Sequence, residues 1–534
     1  MTAALPLQLG STRRPAVNPW LIAVTVSMAT FMVVLDTSIA NVSLGHIAGS
    51  LGAARSESTW VLTSYLISNA IIVPISGWLA SAMGRKRFYM TCVALFTASS
   101  FLCGIAPSLT WLLIFRVLQG IGGGGLAPSE QAILADTFEP RQRGMAFAVY
   151  GVAVVVAPAI GPTLGGWITD NYSWRWIFFI NVPVGILSLL LSYNLVTDSE
   201  GAKKEHKAVW KNGLKVDYIG FALVALGLGC LQIVLDKGQE EDWFSSHFIQ
   251  IVAALSALGI IGTIVWECVV AKEPIVDLPL LRNRSLMSTN ILMFIMGFIL
   301  TSTTVLLPQF VQEMLGYNAT RAGMILMPGG FALMMVFPIA GMLSNRVQPK
   351  YLMAAGLLIT AGAMYHLTSF DTTVTFSQLS WARVYQAVGL PLFFVPLNTI
   401  AYGDLPPGKS NNASALMNLM RNLGGGVGIS IAVMLLERRT QFHANRLSSH
   451  LTPYDFAFTD RLHHAASSLM AHGVSAANAT TQALAGIYAD LQQQALMLSY
   501  LDVFRIMMYG CLVVLALVMF LRNVRKGEKV AVGH

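Results

Sequence analysis

Charge is what this sequence has least of: 11% of its 534 residues are Asp, Glu, Lys or Arg, against roughly a quarter in soluble domains. The mean hydropathy is +0.61, which excludes an ordinary soluble domain of this length. Cysteine is also scarce. Cys92, Cys103, Cys230, Cys268 and Cys511 form no CxxC pair and lie inside apolar runs, so a disulfide framework is excluded and apolar filler is the plain reading. No phosphate-binding Walker loop and no catalytic triad pattern occurs, which argues against ATP hydrolysis within the chain and against an enzyme. Gly122-Gly123-Gly124-Gly125 lies inside an apolar run and reads as a helix-packing face. His463, His464 and His472 lack partners at metal-ligand spacing. No metal or cofactor is expected.

What is present is a series of apolar runs long enough to cross a bilayer, whose core of about 30 Å needs roughly 20 helical residues. Fourteen are expected, near 19–42, 58–80, 88–106, 109–135, 143–167, 173–196, 216–236, 247–270, 286–312, 319–344, 350–370, 376–402, 409–436 and 499–521. Arg13-Arg14 followed by proline, with a first run too long for a signal core, points to an uncleaved first span. With the N-terminus inside, Arg85, Lys86, Arg87, Arg141, Arg143, Lys203, Lys204, Lys207, Lys211, Lys215, Lys272, Lys350, Lys409, Arg522, Arg525, Lys526 and Lys529 fall on the inner side. Few basic residues (Arg55, Arg175, Lys237, Arg321) fall on short outer loops. The net charge of +8 thus reflects topology, and no nucleic-acid partner is expected.

Two stretches repeat. Pro74-Ile75-Ser76-Gly77-Trp78-Leu79 returns as Pro338-Ile339-Ala340-Gly341-Met342-Leu343, and Arg116-Val117-Leu118-Gln119 as Arg383-Val384-Tyr385-Gln386, at offsets of 264 and 267 residues. Both copies of the first stretch run in the same direction through the membrane, which is the parallel repeat scheme of secondary transporters.

On these features the chain resembles the major facilitator superfamily, most closely its fourteen-span drug:proton antiporters of the EmrB/QacA type. The resemblance implies an all-α fold of two six-helix bundles plus two inserted spans. It also implies a layout of an N-terminal tail 1–18, a bundle 19–196, a linker pair 197–285, a bundle 286–521 and a tail 522–534. Gly77-Trp78-Leu79-Ala80-Ser81-Ala82-Met83-Gly84-Arg85-Lys86-Arg87 resembles the superfamily's inner loop signature, with Gly77 and Gly84 for close approach and Arg85 and Lys86 in water or on lipid phosphates. Where that pattern has Asp, this chain has Ser81. Gly151 through Gly166, with Pro158, Gly161, Pro162 and Gly165, is similar to the antiporter signature, a proline-bent helix suited to sealing in one state and parting in the other. Trp174-Arg175-Trp176 through Asn181-Val182-Pro183 also resembles the subfamily pattern, with interfacial anchoring as its expected role.

Arg116 stands well inside the fourth span, where a charge usually marks an ion or substrate path. Its expected partner is Asp36, roughly 24 Å along the first helix, while Arg116 lies roughly 10 Å from the opposite end of its own. Asp36 and Arg116 are the expected proton-coupling pair, with a structural ion pair as the alternative, and Glu130 is a secondary coupling residue. Asn41, Gln119, Arg383 and Gln386 are expected to line the cavity. Asp217, Asp236, Glu267 and Asp404 lie nearer span ends, where hydration makes charge cheap.

The segment 437–498 is the one long outer connection. Leu484, Ile487, Leu491 and Leu498 recur at helical spacing and are expected to form an apolar stripe, free to dock a partner or folded over the outer vestibule. The resemblance implies a periplasmic EmrA-like adaptor and an outer-membrane channel as partners, lipophilic small molecules, protons and the bilayer besides. It further implies a bacterial inner-membrane location with both termini cytoplasmic, and proton-coupled multidrug efflux by alternating access. An importer or metabolite transporter on the same fold, and a non-transporting sensor or scaffold, stand as alternatives.

Overall fold

The computed structural model describes residues 18–211, 216–271, 274–317, 319–344, 346–371, 373–402, 409–449 and 451–519. The expected tails, with Arg13, Arg14, Arg522, Arg525, Lys526 and Lys529, and the positions of Lys215, Lys272 and Asp404 lie outside the described residues. Among the described residues all regular structure is helical. The first bundle comprises α1 Pro19–Leu51, α2 Arg55–Ser58, α3 Trp60–Met83, α4 Arg85–Gly104, α5 Leu109–Gly124, α6 Leu126–Thr137, α7 Pro140–Asn171, α8 Trp176–Phe179 and α9 Asn181–Leu195. Then come α10 Glu200–Lys211, α11 Tyr218–Lys237 and α12 His247–Val265, the last continued by a π turn over Trp266–Val270. The second bundle comprises α13 Arg284–Leu315, α14 Ala319–Ser344, α15 Pro349–Leu367, α16 Phe376–Ala401, α17 Ser410–Ser448, α18 Phe456–Ala471 and α19 Ala476–Met519.

Local signals start these helices where the chain leaves the membrane edge. Asn18 caps α1 ahead of Pro19, Asn283 caps α13, and Thr375 with Gln378 forms a capping box on α16. Gly84 takes φ +85° in the one-residue step from α3 to α4, a conformation that only glycine adopts without strain. Twelve helical segments among the described residues are long and apolar enough to cross a membrane. The helices α4 and α15, 20 and 19 residues long, occupy the places expected for two further spans. The expected fourth span is interrupted at Gly125, where α5 gives way to α6.

The two halves meet through exchanged copies of the repeated glycine. A Cβ on Gly77 of α3 would come within 2.9 Å of the Asn412 Cα on α17, and one on Gly341 of α14 within 2.9 Å of the Met145 Cα on α7. Each half thus presses its repeat glycine on the other half's helix, the arrangement expected for parallel repeats. Between the halves, α11 touches both: Thr63 of α3 donates to Asp236, and Ser430 of α17 donates to the Leu235 carbonyl. Its partner α12 packs on it by glycine against glycine, Gly227 on Gly259, and leaves Ile251, Leu258 and Ile261 exposed, a face suited to lipid.

Two expectations change here. The residues Asp236 and Glu267 are engaged rather than hydrated: Asp236 accepts from Thr63, and Glu267, 2% exposed, accepts from the Val276 amide at 3.3 Å. The segment 437–498 is built mainly by extending α17 and α19 and adding α18 between them. Its stripe divides. Ile487 and Leu491 are buried, in line with Ala479, Ala483 and Ala495 at every fourth position, while Leu484 and Leu498 are exposed. The free four-residue stripe is therefore corrected to a buried i, i+4 seam and an exposed edge. A pitch of 3.6 residues turns Leu484 about 100° from Ala483, and the seam is taken by the hairpin itself, clasped by Arg461 on Asp490 at 2.6 Å.

Candidate functional site

A single carboxylate organises the centre of the first half. Asp36, on α1 and 2% exposed, lies 2.6 Å from Arg116 Nη1, on α5 and fully buried. Its other oxygen accepts from Gln119 Nε2 at 2.9 Å and from Asn181 Nδ2 at 2.7 Å. Arg116 also donates to Gln119 Oε1 at 2.7 Å and, through Nε, to the Val61 carbonyl at 2.9 Å. The guanidinium sits 4.5 Å from the centre of the Tyr65 ring, a cation–π contact strengthened by desolvation. Asn181 in turn donates to Ser100 at 3.0 Å. Five helices therefore converge on one buried charge pair, of a kind whose half-removal costs about 3–5 kcal/mol.

Asn181 is the residue that sequence reasoning assigned only to anchoring; it sits inside the cluster. Asn41 is the reverse case: it is exposed and five residues along α1 from Asp36, about 140° around the helix, so it stands outside the cluster.

The second half repeats the geometry with one change. Arg383 of α16 donates to Gln386 Oε1 at 2.5 Å, and Gln386 donates to Thr303 of α13 at 2.7 Å. The offset from Asp36 to Thr303 is the same 267 residues that relates the two Arg/Gln pairs. A hydroxyl stands where the first half has its carboxylate.

Glu130 lies one level closer to the basic end of the molecule. It is fully buried and accepts from the Thr30 hydroxyl, six residues before Asp36 on α1, so it does not join the Asp36 cluster. Its neighbour Gln131 accepts from Asn418 of α17 at 2.7 Å, and Arg421 donates to Tyr150 of α7 at 3.0 Å. With Phe147 stacked on Tyr402 at 5.3 Å, these contacts close the two halves on each other at that level.

The loop signature is more buried than its charge suggested. Arg85 is 2% exposed and pairs with Asp136 at 2.6 Å, and Lys86 donates to the Tyr193 carbonyl at 2.6 Å, leaving Arg87 exposed. Water or lipid phosphate as the setting for Arg85 is thus corrected: Arg85 reaches back under α6, where Asp136 supplies the counter-charge, while Lys86 stays at the partly exposed edge. Ser81 donates to Glu205 of α10 at 2.6 Å, and Trp210 of α10 donates to the Ala82 carbonyl at 3.0 Å. A carboxylate is present beside the signature after all, supplied by a helix that sequence reasoning read as a basic loop. Burial raises the Glu205 carboxyl above the ordinary glutamate range, with the Ser81 bond and then Arg85 and Lys409 pulling the other way.

The proline-bent helix α7 has two packing faces. Toward α1, a Cβ on Gly161 would lie 2.3 Å from Ser38 Oγ, and one on Gly165 would lie 3.2 Å from the Ile39 Cα. Pro162 lacks the amide that would bond the Pro158 carbonyl, and Ser38 turns its hydroxyl to that carbonyl at 3.5 Å. Toward the other half, a Cβ on Gly151 would meet the Phe337 ring at 2.1 Å, and Gly144 lies against Gly341. The buried Gly166 accepts from Thr169 at 3.0 Å. Gly151 is thus the signature glycine at the junction of the halves, whereas Gly161 and Gly165 hold α1 two and three residues from Asp36.

Residues 26–429 match the Major Facilitator Superfamily. The chain is 38% identical over 437 residues to the multidrug export protein EmrB of Haemophilus influenzae, covering 82% of this chain and 84% of that one. It is 38% identical over 454 residues to the fatty acid resistance protein FarB of Neisseria gonorrhoeae, covering 85% and 87%.

The chain belongs to the EmrB-type branch of the major facilitator superfamily.

Solved structures of the superfamily share its fold. The human organic anion transporter MFSD10 (TETRAN) aligns with a TM-score of 0.57 at 13% identity, over 93% of this chain and all of that one. The proton:xylose symporter XylE aligns with a TM-score of 0.56 at 15% identity, over 80% and 90%. Family membership makes the protein a multi-pass membrane transporter. Among the described residues no group of three His, Cys, Asp or Glu side chains could hold a metal ion.

Proposed function

We propose that the protein is a proton-coupled multidrug efflux antiporter of a bacterial inner membrane, exporting hydrophobic or cationic small molecules by alternating access with both termini cytoplasmic. The observation that carries the reading is the buried Asp36–Arg116 pair, held at 2.6 Å with Gln119 and Asn181 on the second carboxylate oxygen. Protonation of Asp36 from outside cancels its charge, releases Arg116 and favours the state that gives up cargo; deprotonation toward the cytoplasm restores the pair. One proton under a total driving force of about 150 mV supplies about 3.5 kcal/mol, enough for a gradient of a few hundredfold. The proposal includes fourteen crossings, counting α4 and α15, and the layout 1–18, 19–196, 197–285, 286–521 and 522–534. No cofactor takes part.

The relatives' printed names, multidrug export and fatty acid resistance, support export of lipophilic compounds as the activity. An EmrA-like adaptor and an outer-membrane channel are proposed on family resemblance, with the exposed edge at Leu484 and Leu498 as the place to test them. The deciding experiment is drug-driven proton release from proteoliposomes holding the purified protein. Release that requires both drug and an intact Asp36 supports the reading. Drug flux indifferent to the proton gradient, or directed inward, overturns it.

A further inference from the structure

Three arginines are buried among the described residues: Arg85 at 2%, Arg116 at 0% and Arg383 at 5% exposure. The first two each lie 2.6 Å from a carboxylate, Asp136 and Asp36. Arg383 has no such partner among the described residues; its hydrogen-bond partner Gln386, and Thr303 beyond it, are uncharged, and its Nε has no hydrogen bond. A guanidinium cannot shed its proton to escape burial, so the site carries an uncompensated positive charge in apolar surroundings, an arrangement that is costly unless an anion completes it.

The chain is shaped to keep that charge in place. Gly329 of α14 lies against the arginine stem, where a Cβ would come within 2.6 Å of Arg383 Cγ. Arg383 and Gln386 line a small cavity whose other walls include Ile299, Leu300, Leu333 and Leu390. Polar groups at one side and branched aliphatic walls at the other match an amphiphile with an acidic head, and the planar fork of an arginine is suited to a carboxylate. The internal repeat shows what is missing. Gln119 and Gln386 each donate to the same repeat position on the facing helix, Asp36 in one half and Thr303 in the other.

We infer that Arg383 recognises the anionic head, a carboxylate or phenolate, of amphiphilic cargo, which takes in the second half the place that Asp36 holds permanently in the first. The inference rests on the export reading above for its direction of transport but not for the binding itself. In this state the cavity, about 10 Å³, has room for no more than about one water, so the head group enters as the surrounding helices part, with the tail along the aliphatic wall.

Binding of dodecanoate and of the uncharged 1-dodecanol to the full-length protein in lipid nanodiscs, against empty discs, tests this. The wild type is expected to favour dodecanoate by about tenfold or more, the worth of one charge-assisted contact. Arg383→Gln removes the guanidinium, and Thr303→Asp leaves it in place but supplies an internal carboxylate; both should abolish the preference, while Arg383→Lys keeps part of it. If Arg383→Gln fails to fold, Thr303→Asp decides alone. A wild type without the preference, or a preference that survives Thr303→Asp, overturns the inference. Gradient-driven export of a lipophilic cation dye by wild-type proteoliposomes, measured alongside, separates the two readings. Export without dodecanoate preference sinks only the anion site, and dodecanoate preference without any gradient-driven flux sinks only the export reading.

Discussion

The two halves of this transporter carry the same arginine and glutamine at the same places, yet only one half carries the acid. In the first, Arg116 is closed on Asp36 at 2.6 Å; in the second, Arg383 faces Thr303 through Gln386. A duplicated scaffold can thus hold two different devices. On the readings proposed above, one charge pair would open and close by protonation and the other charge would receive an anion. The comparison extends to the helices beside them. Gly161 packs on Ser38, and Gly428, at the same 267-residue offset from Gly161, packs on Ser302, but α7 contains Pro158 and Pro162 while α17 contains no proline. Within this pair of helices, only the one beside the acid carries prolines.

The largest effect is expected from Asp36→Asn. Gradient-driven accumulation should fall from a few hundredfold to about onefold, with expression retained, as read by efflux from proteoliposomes. Continued pumping against a gradient would erase the functional difference between the halves.

Stability should divide them next. Removing Arg116 strands a buried carboxylate, so Arg116→Gln is expected to cost about 3–5 kcal/mol. Removing Arg383 strands no charge, so Arg383→Gln should leave thermal unfolding of the protein in nanodiscs within about 1 kcal/mol of wild type. Equal losses in both would show that Arg383 has a structural counter-charge.

The glycines should sort by which helix they face. A leucine at Gly151 would meet Phe337 across the halves and is expected to slow transport at least about tenfold while folding survives, a loss of about 1.4 kcal/mol in the barrier. A leucine at Gly161 pushes on α1 beside Asp36 and should lower proton coupling as well. Transport rate and proton-to-drug ratio, measured together, tell the two apart; wild-type values in Gly161→Leu would remove the packing argument for α7.

The smallest effect is expected at the basic end. Glu205 is held above the ordinary carboxyl range by burial, so its ionised form opposes docking of α10 on α3. As pH falls through its raised value the group neutralises and docking tightens, down to the ordinary glutamate pKa near 4.3, where the undocked helix protonates as well. A spin-label distance between α10 and α3 should shorten as pH falls and lose that dependence in Glu205→Gln. An unchanged dependence in the variant assigns it to another group.

Much of this was legible in the chain. Scarce charge and long apolar runs dictate a helical membrane protein, because backbone groups in lipid must bond within their own segment. The near-constant repeat offset announces two parallel halves, and an arginine deep in a span calls for an acid at matching depth, which only Asp36 on the first span offered. The proline and glycine signature by itself marks α7 as a closely packed helix with gaps in its hydrogen-bond ladder.

Other features exist only in three dimensions. Asn181 joins Asp36 although 145 positions separate them, because a polar side chain at a span end gives no sign of which way it turns. The helix α10 looks like a basic loop until Ser81 and Ala82 give it partners, since a short charged helix gains its stability from what it docks on. The apolar residues of the outer hairpin carry a helical period, but which of them are covered depends on the neighbour they meet, and in the folded hairpin Ile487 and Leu491 are buried while Leu484 and Leu498 are not. What the sequence determined by itself was medium, parallel repeat and the need for a buried acid, all consequences of local hydropathy, internal similarity and charge. What only the tertiary structure decided was which charges find partners, because pairing is a property of distances between helices that the order of residues does not contain.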